Sequence, residues 1–522
     1  MDLSNVLIAH KIIRLADTVP PNPITQLTAT ATSYDSVTLT WLNPLDSEFA
    51  GVKIVRKVGS MPTSITDGKT VYAGIGTATG DTVTLKGYAP SVRSYVDTTV
   101  SAETTYYYRA FTYGVYSNYN KTESDQVATT TTPPPYELYG FAVDETNSDP
   151  ATCVTYIENA VGMTPATNVG TGNFNGGDWL DAYPFNAIRP VSIDANGDII
   201  AEVAPTNFTR TPDGVSLTTE QKNYVMIEIP PVYWKFTKTA NGYEVRWSDV
   251  KIDNDYQALA HERGGVLKGN LYVSAYEGFV ENSKLLSITG KTPTVTTQRS
   301  AFITSAKAVG SGFDIMNFHT VTLLQILFVT MFKTLDSQTA LGRGISNRSS
   351  LGNTGIANTV GMYYGNPAGN TAAVKFMGIE NLWGNAAQWL YGARVTGGTR
   401  CSILGNEVLT SGEGTQYSEK YTFATTGTGT VMAGYMNEVA GTQIGAFLPK
   451  GVQSDTGSSS TYYCDRVGNF DSTTSTQDMY YGGAYYAPNQ TSTYFAGIFA
   501  ISSYSSSSSL DYVGARLQYL AP

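Results

Sequence analysis

Residues 480–522 read YYGGAYYAPNQTSTYFAGIFAISSYSSSSSLDYVGARLQYLAP, and their pattern decides the fold expected for the larger part of the chain. Val513, Ala515, Leu517 and Tyr519 fall on one side of a period-two ladder, with Arg516 and Gln518 on the other. That alternation predicts a half-buried terminal strand. Residues 502–509 carry no period and predict a polar loop. A rigid strand would then frame a surface rich in Tyr, Ser and Asn. Such a composition suits binding, because tyrosine supplies large contact area with few rotors while serine and asparagine supply adaptable hydrogen bonds.

An earlier stretch, residues 378–392, is expected to pack beneath this segment. Its first twelve residues read GIENLWGNAAQW, and far downstream come YGGAY at 481–485 and VGARL at 513–517. The order and terminal position of these three motifs resemble the C-type-lectin fold, in the branch shared by formylglycine-generating enzymes and by phage tropism determinants diversified by retroelements. The resemblance assigns Asn381, Trp383, Gly384, Asn385, Trp389, Gly482, Gly483, Gly514 and Arg516 to the structural motif. Two tryptophans in such a segment are expected to bury large rings, and the two asparagines to satisfy loop backbone.

With 522 residues the chain exceeds one hydrophobic core, so at least two domains are expected. A net charge of −10 offers no electrostatic footprint for nucleic acid or an anionic membrane. Charged residues are only 15% of the chain, and Gly, Ser, Thr, Tyr and Asn are abundant, which suits many strands joined by turns. The fold class expected is therefore mainly β, with an α+β C-terminal unit. Cys153, Cys401 and Cys464 are too scattered for a disulfide framework and read as buried thiols. Residues 1–19 carry Asp2, Lys11, Arg14 and Asp17 and no cleavage-site pattern, so assembly in a cytoplasm is expected. Residues 318–335 are the most apolar run, yet His319, Thr320, Thr322, Gln325, Thr330 and Lys333 interrupt it. A buried helix is predicted there, with no membrane insertion.

Along the chain, residues 1–19 predict a short helix or extended arm that attaches to a partner, or else a disordered terminus. Residues 20–132 show short alternating runs separated by turns: SVTLTW at 36–41, GVKIVRK at 51–57 and TYYYRAF at 105–111. Tyr106, Tyr108 and Ala110 share one face of the last run. This region resembles a fibronectin type III domain, with Trp41 as its core tryptophan and Tyr106 as its tyrosine-corner residue. No Arg-Gly-Asp sequence occurs, so a spacer role is expected. Residues 129–135, TTTTPPP, form a semi-rigid joint whose proline linker is 133–135. Residues 136–522 form the large unit, in which 136–300 could be an added subdomain. Strands are expected at 139–143, 224–229, 232–236 and 243–247, with Pro230 and Pro231 at a bulge or edge and a turn at Asn241-Gly242. Residues 156–161 could be helical. Residues 139–166 and 334–344 also resemble tail proteins of phages and prophages infecting gut bacteria.

Chemistry finds little support. His10, His261 and His319 lie apart from any serine or cysteine motif. Formylglycine-type oxidation needs a cysteine pair near the motif set, and Cys401 and Cys464 do not supply one. Ala487-Pro488-Asn489 lacks the carboxylate of a calcium-lectin loop. A glycan hydrolase would need two paired carboxylates, and Asp178, Asp181, Asp194, Asp198, Asp249, Asp253 and Asp255 read better as turn residues. Asp194-Ala195-Asn196-Gly197-Asp198 likewise reads as a turn. No catalytic residue, metal or cofactor is therefore expected.

The function the resemblances imply is a phage tail-tip receptor-binding protein carried on the virion. Its partners would be a bacterial cell-surface protein or glycan, other tail or baseplate proteins, and further copies of itself in a trimer. The alternatives weighed are an envelope glycan hydrolase, an oxidase relic and a bacterial surface adhesin. The residues expected to contact the receptor are Tyr485, Tyr486, Asn489, Gln490, Ser492, Tyr494, Phe499, Ser503, Tyr504, Ser505, Ser507, Asp511 and Tyr512.

Overall fold

The structure is a computed structural model. It describes residues 19–32, 35–75, 77–78, 92–101, 104–121, 125–131, 136–168, 170, 173–367, 369–396, 400–404, 417–422, 432–452, 458–470, 476–485 and 496–522. The chain divides into two compact units, Met1–Pro135 and Tyr136–Pro522. The expected arm at 1–19 and the linker at 133–135 lie almost wholly outside the described residues.

The first unit holds two four-stranded antiparallel sheets. One runs Thr25–Ala31, Val37–Leu42, Val92–Asp97, Thr77–Ala78; the other runs Lys69–Gly74, Phe49–Val58, Thr105–Gly114, Gln126–Thr130. Alternation puts Val37, Leu39 and Trp41 of the first sheet into one core with Val52, Ile54, Tyr106, Tyr108 and Ala110 of the second. The Tyr106 hydroxyl accepts from the Ser101 N–H at 2.7 Å, which ties the strand to the turn before it. Arg56 of the second sheet pairs with buried Asp97 of the first at 2.6 Å.

The second unit is built around a fifteen-residue helix. The described helices are α1 (Arg299–Lys307), α2 (Phe318–Phe332) and α3 (Ser337–Ala340). Every residue of α2 is buried, as expected for a helix apolar on all sides. Its polar residues are engaged by the layers around it: Thr320 Oγ1 donates to Gln518 Oε1 at 2.8 Å, Gln325 Nε2 to the Ile498 carbonyl at 2.9 Å, and Trp247 Nε1 to Thr330 Oγ1 at 3.1 Å. Asn317 caps its start by accepting from the Thr320 N–H. Among the described residues no helix is long and apolar enough to cross a membrane.

Three larger sheets surround this helix. A four-stranded sheet runs Val154–Glu158, Leu138–Asp144, Gly242–Ser248, Tyr233–Lys238. A six-stranded sheet includes Val225–Ile229, Leu271–Ser274, Leu517–Tyr519 and Phe313–Ile315 as successive neighbours. In a nine-stranded sheet Ala387–Thr396, Thr476–Tyr481 and Ile501–Ser505 lie side by side. The protein is thus mainly β, with a small helical cluster in the latter half of the chain.

Several expectations need correction. The closing strand is fully buried, because it runs inside the six-stranded sheet between Leu271–Ser274 and Phe313–Ile315. Its polar side also faces protein, with Gln518 Oε1 accepting from the Asn317 N–H at 3.0 Å. The serine run starts as the strand Ile501–Ser505, which the neighbouring Thr476–Tyr481 imposes through backbone pairing. Residues 156–161 are strand followed by turn: Val154 and Tyr156 point inward while Thr155 and Glu158 point outward. Pro230 and Pro231 separate strands of two different sheets instead of bulging one. Val225–Ile229 and Leu271–Ser274, from before residue 300, share one sheet with the closing strand.

Candidate functional site

The motif at 378–392 does lie against the terminal segment. Asn381, Gly384 and Asn385 adopt left-handed backbone with φ of 50°, 80° and 60°, which asparagine and glycine tolerate best. At Gly384 a side chain would also meet the Ile345 nitrogen at 2.7 Å. The resulting loop reads outward through its backbone. The Gly384 N–H donates to the Gly482 carbonyl at 3.0 Å, the Tyr485 N–H to the Asn385 carbonyl at 2.6 Å, and the Ala387 N–H to the Tyr512 carbonyl at 3.0 Å. Gly514 is strung beside Gln388 in parallel register.

Inside this loop sits a buried polar network that sequence reasoning only half identified. Arg516 is wholly buried and spends its guanidinium on Gln388 Oε1 (2.9 Å) and on the carbonyls of Ser274 (2.9 Å), Glu380 (2.7 Å) and Asn381 (3.0 Å). Glu277 is equally enclosed and accepts from Asn381 Nδ2 (2.9 Å), Asn385 Nδ2 (2.6 Å) and the Ala386 N–H (2.8 Å). Glu380 accepts from the Gly355 and Ala357 N–H groups, and Lys375 donates to the Ala357 carbonyl at 2.9 Å. Burial pushes the Glu277 carboxyl up to about 7 and lowers the Lys375 ammonium, against the attraction of Glu380. It also lowers Arg516 to about 10. Glu277 and Lys375 lie outside the motifs, and Glu380, though inside the first, was given no role. The only sequence signal was a charge placed in an otherwise apolar run, as at SAYEGF, 274–279.

The two motif tryptophans are core residues. Trp383 donates its Nε1 to the Gly342 carbonyl at 2.9 Å, and Trp389 to the Thr297 carbonyl at 3.2 Å. Asn385 satisfies loop backbone as expected, bonding both the N–H and the carbonyl of Gly352. Asn381 serves Glu277 instead.

The expected contact residues that the structure describes separate into three groups. Tyr504 is 39% exposed, and Ser507 and Asp511 are exposed beside half-buried Ser505. Ser505 and Ser507 share a hydroxyl hydrogen bond at 3.0 Å, within a turn pinned by Gln298 Nε2 on the Ser507 carbonyl. Tyr485 and Tyr512 are half-buried. The first packs on Ile345, Ala357 and Ala373; the second sets its ring edge-on to Tyr480 at 6.2 Å. Phe499 and Ser503 are interior and cannot contact a partner: Phe499 packs against Phe447 and Tyr463, and Ser503 donates to Gln477 Oε1 at 2.6 Å. Tyr486, Asn489, Gln490, Ser492 and Tyr494 lie outside the described residues.

Several of the carboxylates weighed for hydrolysis serve local turns and ion pairs. Asp194 accepts from the N–H groups of Asn196 and Asp198, which makes 194–198 the tight turn expected. Asp178 holds the Thr164 N–H, Asp249 the Glu137 N–H, and Asp253 and Asp255 face Lys235. Cys153 and Cys464 are free and buried, and the side chain of Cys401 lies outside the described residues. A cleft near the end of α2 includes Phe332, Thr334, Asp336 and Thr339 in its lining; Asp336 is occupied capping α3 through the Thr339 N–H at 2.9 Å. Among the described residues no three His, Cys, Asp or Glu side chains are placed to hold a metal ion.

His261 provides a pH test of the fold. It is fully buried with Nδ1 3.1 Å from the Gly269 carbonyl, and burial drives the imidazole down to about 4 from an ordinary 6.5. A depressed pKa means the folded chain binds fewer protons than the unfolded chain between those values. Stability is therefore full above pH 6.5 and falls as pH drops toward 4, by roughly 3 kcal/mol through this group. Glu277 and Asp465, both raised to about 7, act in the opposite direction, but they do so equally in wild type and His261→Gln. Denaturant titrations at neutral and acid pH should show the variant losing less stability than wild type. Equal losses would contradict the assignment.

No family model and no curated protein sequence matches this chain.

Proposed function

We propose that the chain is a receptor-binding protein of a phage or prophage tail tip, in which the second unit is C-type-lectin-like and presents its terminal segment to the host cell. The observation that carries this reading is the turn from Tyr504 to Asp511, which exposes Tyr504, Ser507 and Asp511 and is held by backbone hydrogen bonds from Ser506 to Thr476 and from Thr296 to Leu510. Tyrosine and serine hydroxyls exposed on a rigid frame give contact area and hydrogen bonding at little entropic cost. The order of the three motifs also supports it. The strand order of the first unit, and the Ser101 to Tyr106 hydrogen bond, support reading that unit as a fibronectin type III-like spacer. No reaction is assigned to the chain. It acts as a trimer on the virion, where several weak contacts reinforce one another.

The test is binding of the purified chain to cells of the bacterium that carries the gene or its phage. Tyr504→Ala should weaken attachment by about 1–3 kcal/mol, roughly 5-fold to 150-fold, while the fold persists. Unchanged attachment by a folded Tyr504→Ala, Asp511→Ala double variant would remove this surface from the reading. Release of new reducing ends from host envelope polysaccharide would replace it with an enzymatic one. Sedimentation showing only monomer at micromolar concentration would remove the trimer.

A further inference from the structure

We infer that Glu277 is the positioning residue of the terminal surface: one buried carboxylate sets the loop on which that surface rests. The inference builds on reading the terminal segment as the contact surface. Glu277 touches none of the exposed residues and acts through two neighbours in sequence. One oxygen accepts from Asn385 Nδ2, and the Asn385 carbonyl in turn holds the Tyr485 N–H. The other accepts from the Ala386 N–H, and the next residue, Ala387, holds the Tyr512 carbonyl. The residue after Glu277 joins in directly, because the Gly278 N–H donates to the Ala515 carbonyl at 2.8 Å. Glu277 therefore lies where both the Gly482–Tyr485 turn and the Tyr512–Ala515 return are held, through Asn385, Ala386 and Gly278.

All three partners of the carboxylate are donors, so a glutamine cannot replace it. Turned one way, its NH2 group would face the Ala386 N–H; turned the other, it would face the two asparagine amides. At least one buried donor is left unsatisfied, which is the costly case for a polar group. Asn381 and Asn385 hold left-handed backbone, and losing their side-chain anchors loosens that conformation first.

Amide hydrogen exchange on the full-length chain tests the inference without needing a receptor. In Glu277→Gln the amides of Gly384, Ala387 and Tyr485 should exchange at least tenfold faster, while those of helix α2 and of the first unit hold their wild-type rates. A pH series separates positioning from general weakening. Arg516, Glu380, Lys375 and Tyr481 are the other charged or titratable groups of this network, and they are common to both chains. Burial raises the Glu277 carboxyl to about 7 against its three donors and Arg516, which lower it, so its titration falls where exchange is readily followed. Wild-type protection at these amides, corrected for intrinsic rates, should change with pH across that titration, and Glu277→Gln should lack the change. If Glu277→Gln fails to fold, Asn385→Gly keeps the backbone freedom and should show the same three amides accelerated. Unchanged exchange at these amides in a folded variant overturns the inference, whatever cell binding does. Accelerated exchange supports it; if host attachment is nevertheless unaltered, the contact-surface reading fails separately.

Discussion

Replacing Arg516 with methionine is expected to destabilise the second unit by roughly 3–5 kcal/mol, the usual cost of removing one partner from a fully buried charged network. The guanidinium is 0% exposed and each of its three nitrogens is occupied: two carry the carbonyls of Ser274, Glu380 and Asn381, and the third holds Gln388. Methionine fills much of the same volume, so the loss reads the polar groups more than the cavity. Three buried carbonyls would lose a donor, and the charges of Glu277 and Glu380 would lose their shared cation. The Glu277 carboxyl, already pushed up to about 7, would rise further and take up a proton near neutrality. Urea denaturation followed by tryptophan fluorescence reports this unit, because five of the six tryptophans, all except Trp41, belong to it. A loss below about 1 kcal/mol, the scale of one ordinary hydrogen bond, would mean that the network contributes no more than a surface contact.

How much of this was legible in the sequence depended on the range of the interactions involved. In the first unit three of the eight described strands were legible, since they announce themselves by local alternation, as at Val37, Leu39 and Trp41. The buried helix α2 was legible for the same reason: a continuous apolar run too interrupted for a membrane can only be covered by protein. Failures came where a distant strand decided. Period two at 513–519 was real, but periodicity cannot say whether the second face meets water or the N-terminus of a helix some 200 residues earlier. Ser502 and Ser503 have no apolar signal, yet pairing with Tyr480 and Met479 makes them strand and buries them. Phe499 was placed on the surface by its neighbours in sequence and in the core by Asp465, whose buried carboxylate accepts the Phe499 N–H at 2.8 Å. Motif order located Asn381, Asn385 and Arg516. It could not locate Glu277, a lone charge whose partners are all more than a hundred residues away.

Trp383→Ala separates core from contact. The ring is 0% exposed, meets Phe328 of α2 edge-on at 5.9 Å, and donates its Nε1 to the Gly342 carbonyl. Truncation removes that contact area, leaves a cavity against the central helix and strands a buried carbonyl, for an expected loss of about 3–5 kcal/mol. Gly342 itself is at φ +106°, and a side chain there would meet the Asn366 carbonyl at 2.4 Å, so the backbone has little room to close over the gap. Trp383→Phe keeps an aromatic ring and should cost less, about 1–3 kcal/mol, mostly through the unsatisfied carbonyl. The ratio of the two losses is informative: packing predicts alanine much worse than phenylalanine, whereas a role confined to the hydrogen bond predicts them equal. Folded yield and the denaturation midpoint should fall together in the alanine variant. If the Trp383→Ala chain instead reached wild-type yield and midpoint but lost attachment to host cells, Trp383 would be a contact residue, and the division between a buried motif frame and an exposed Tyr504 to Asp511 surface would fall with it.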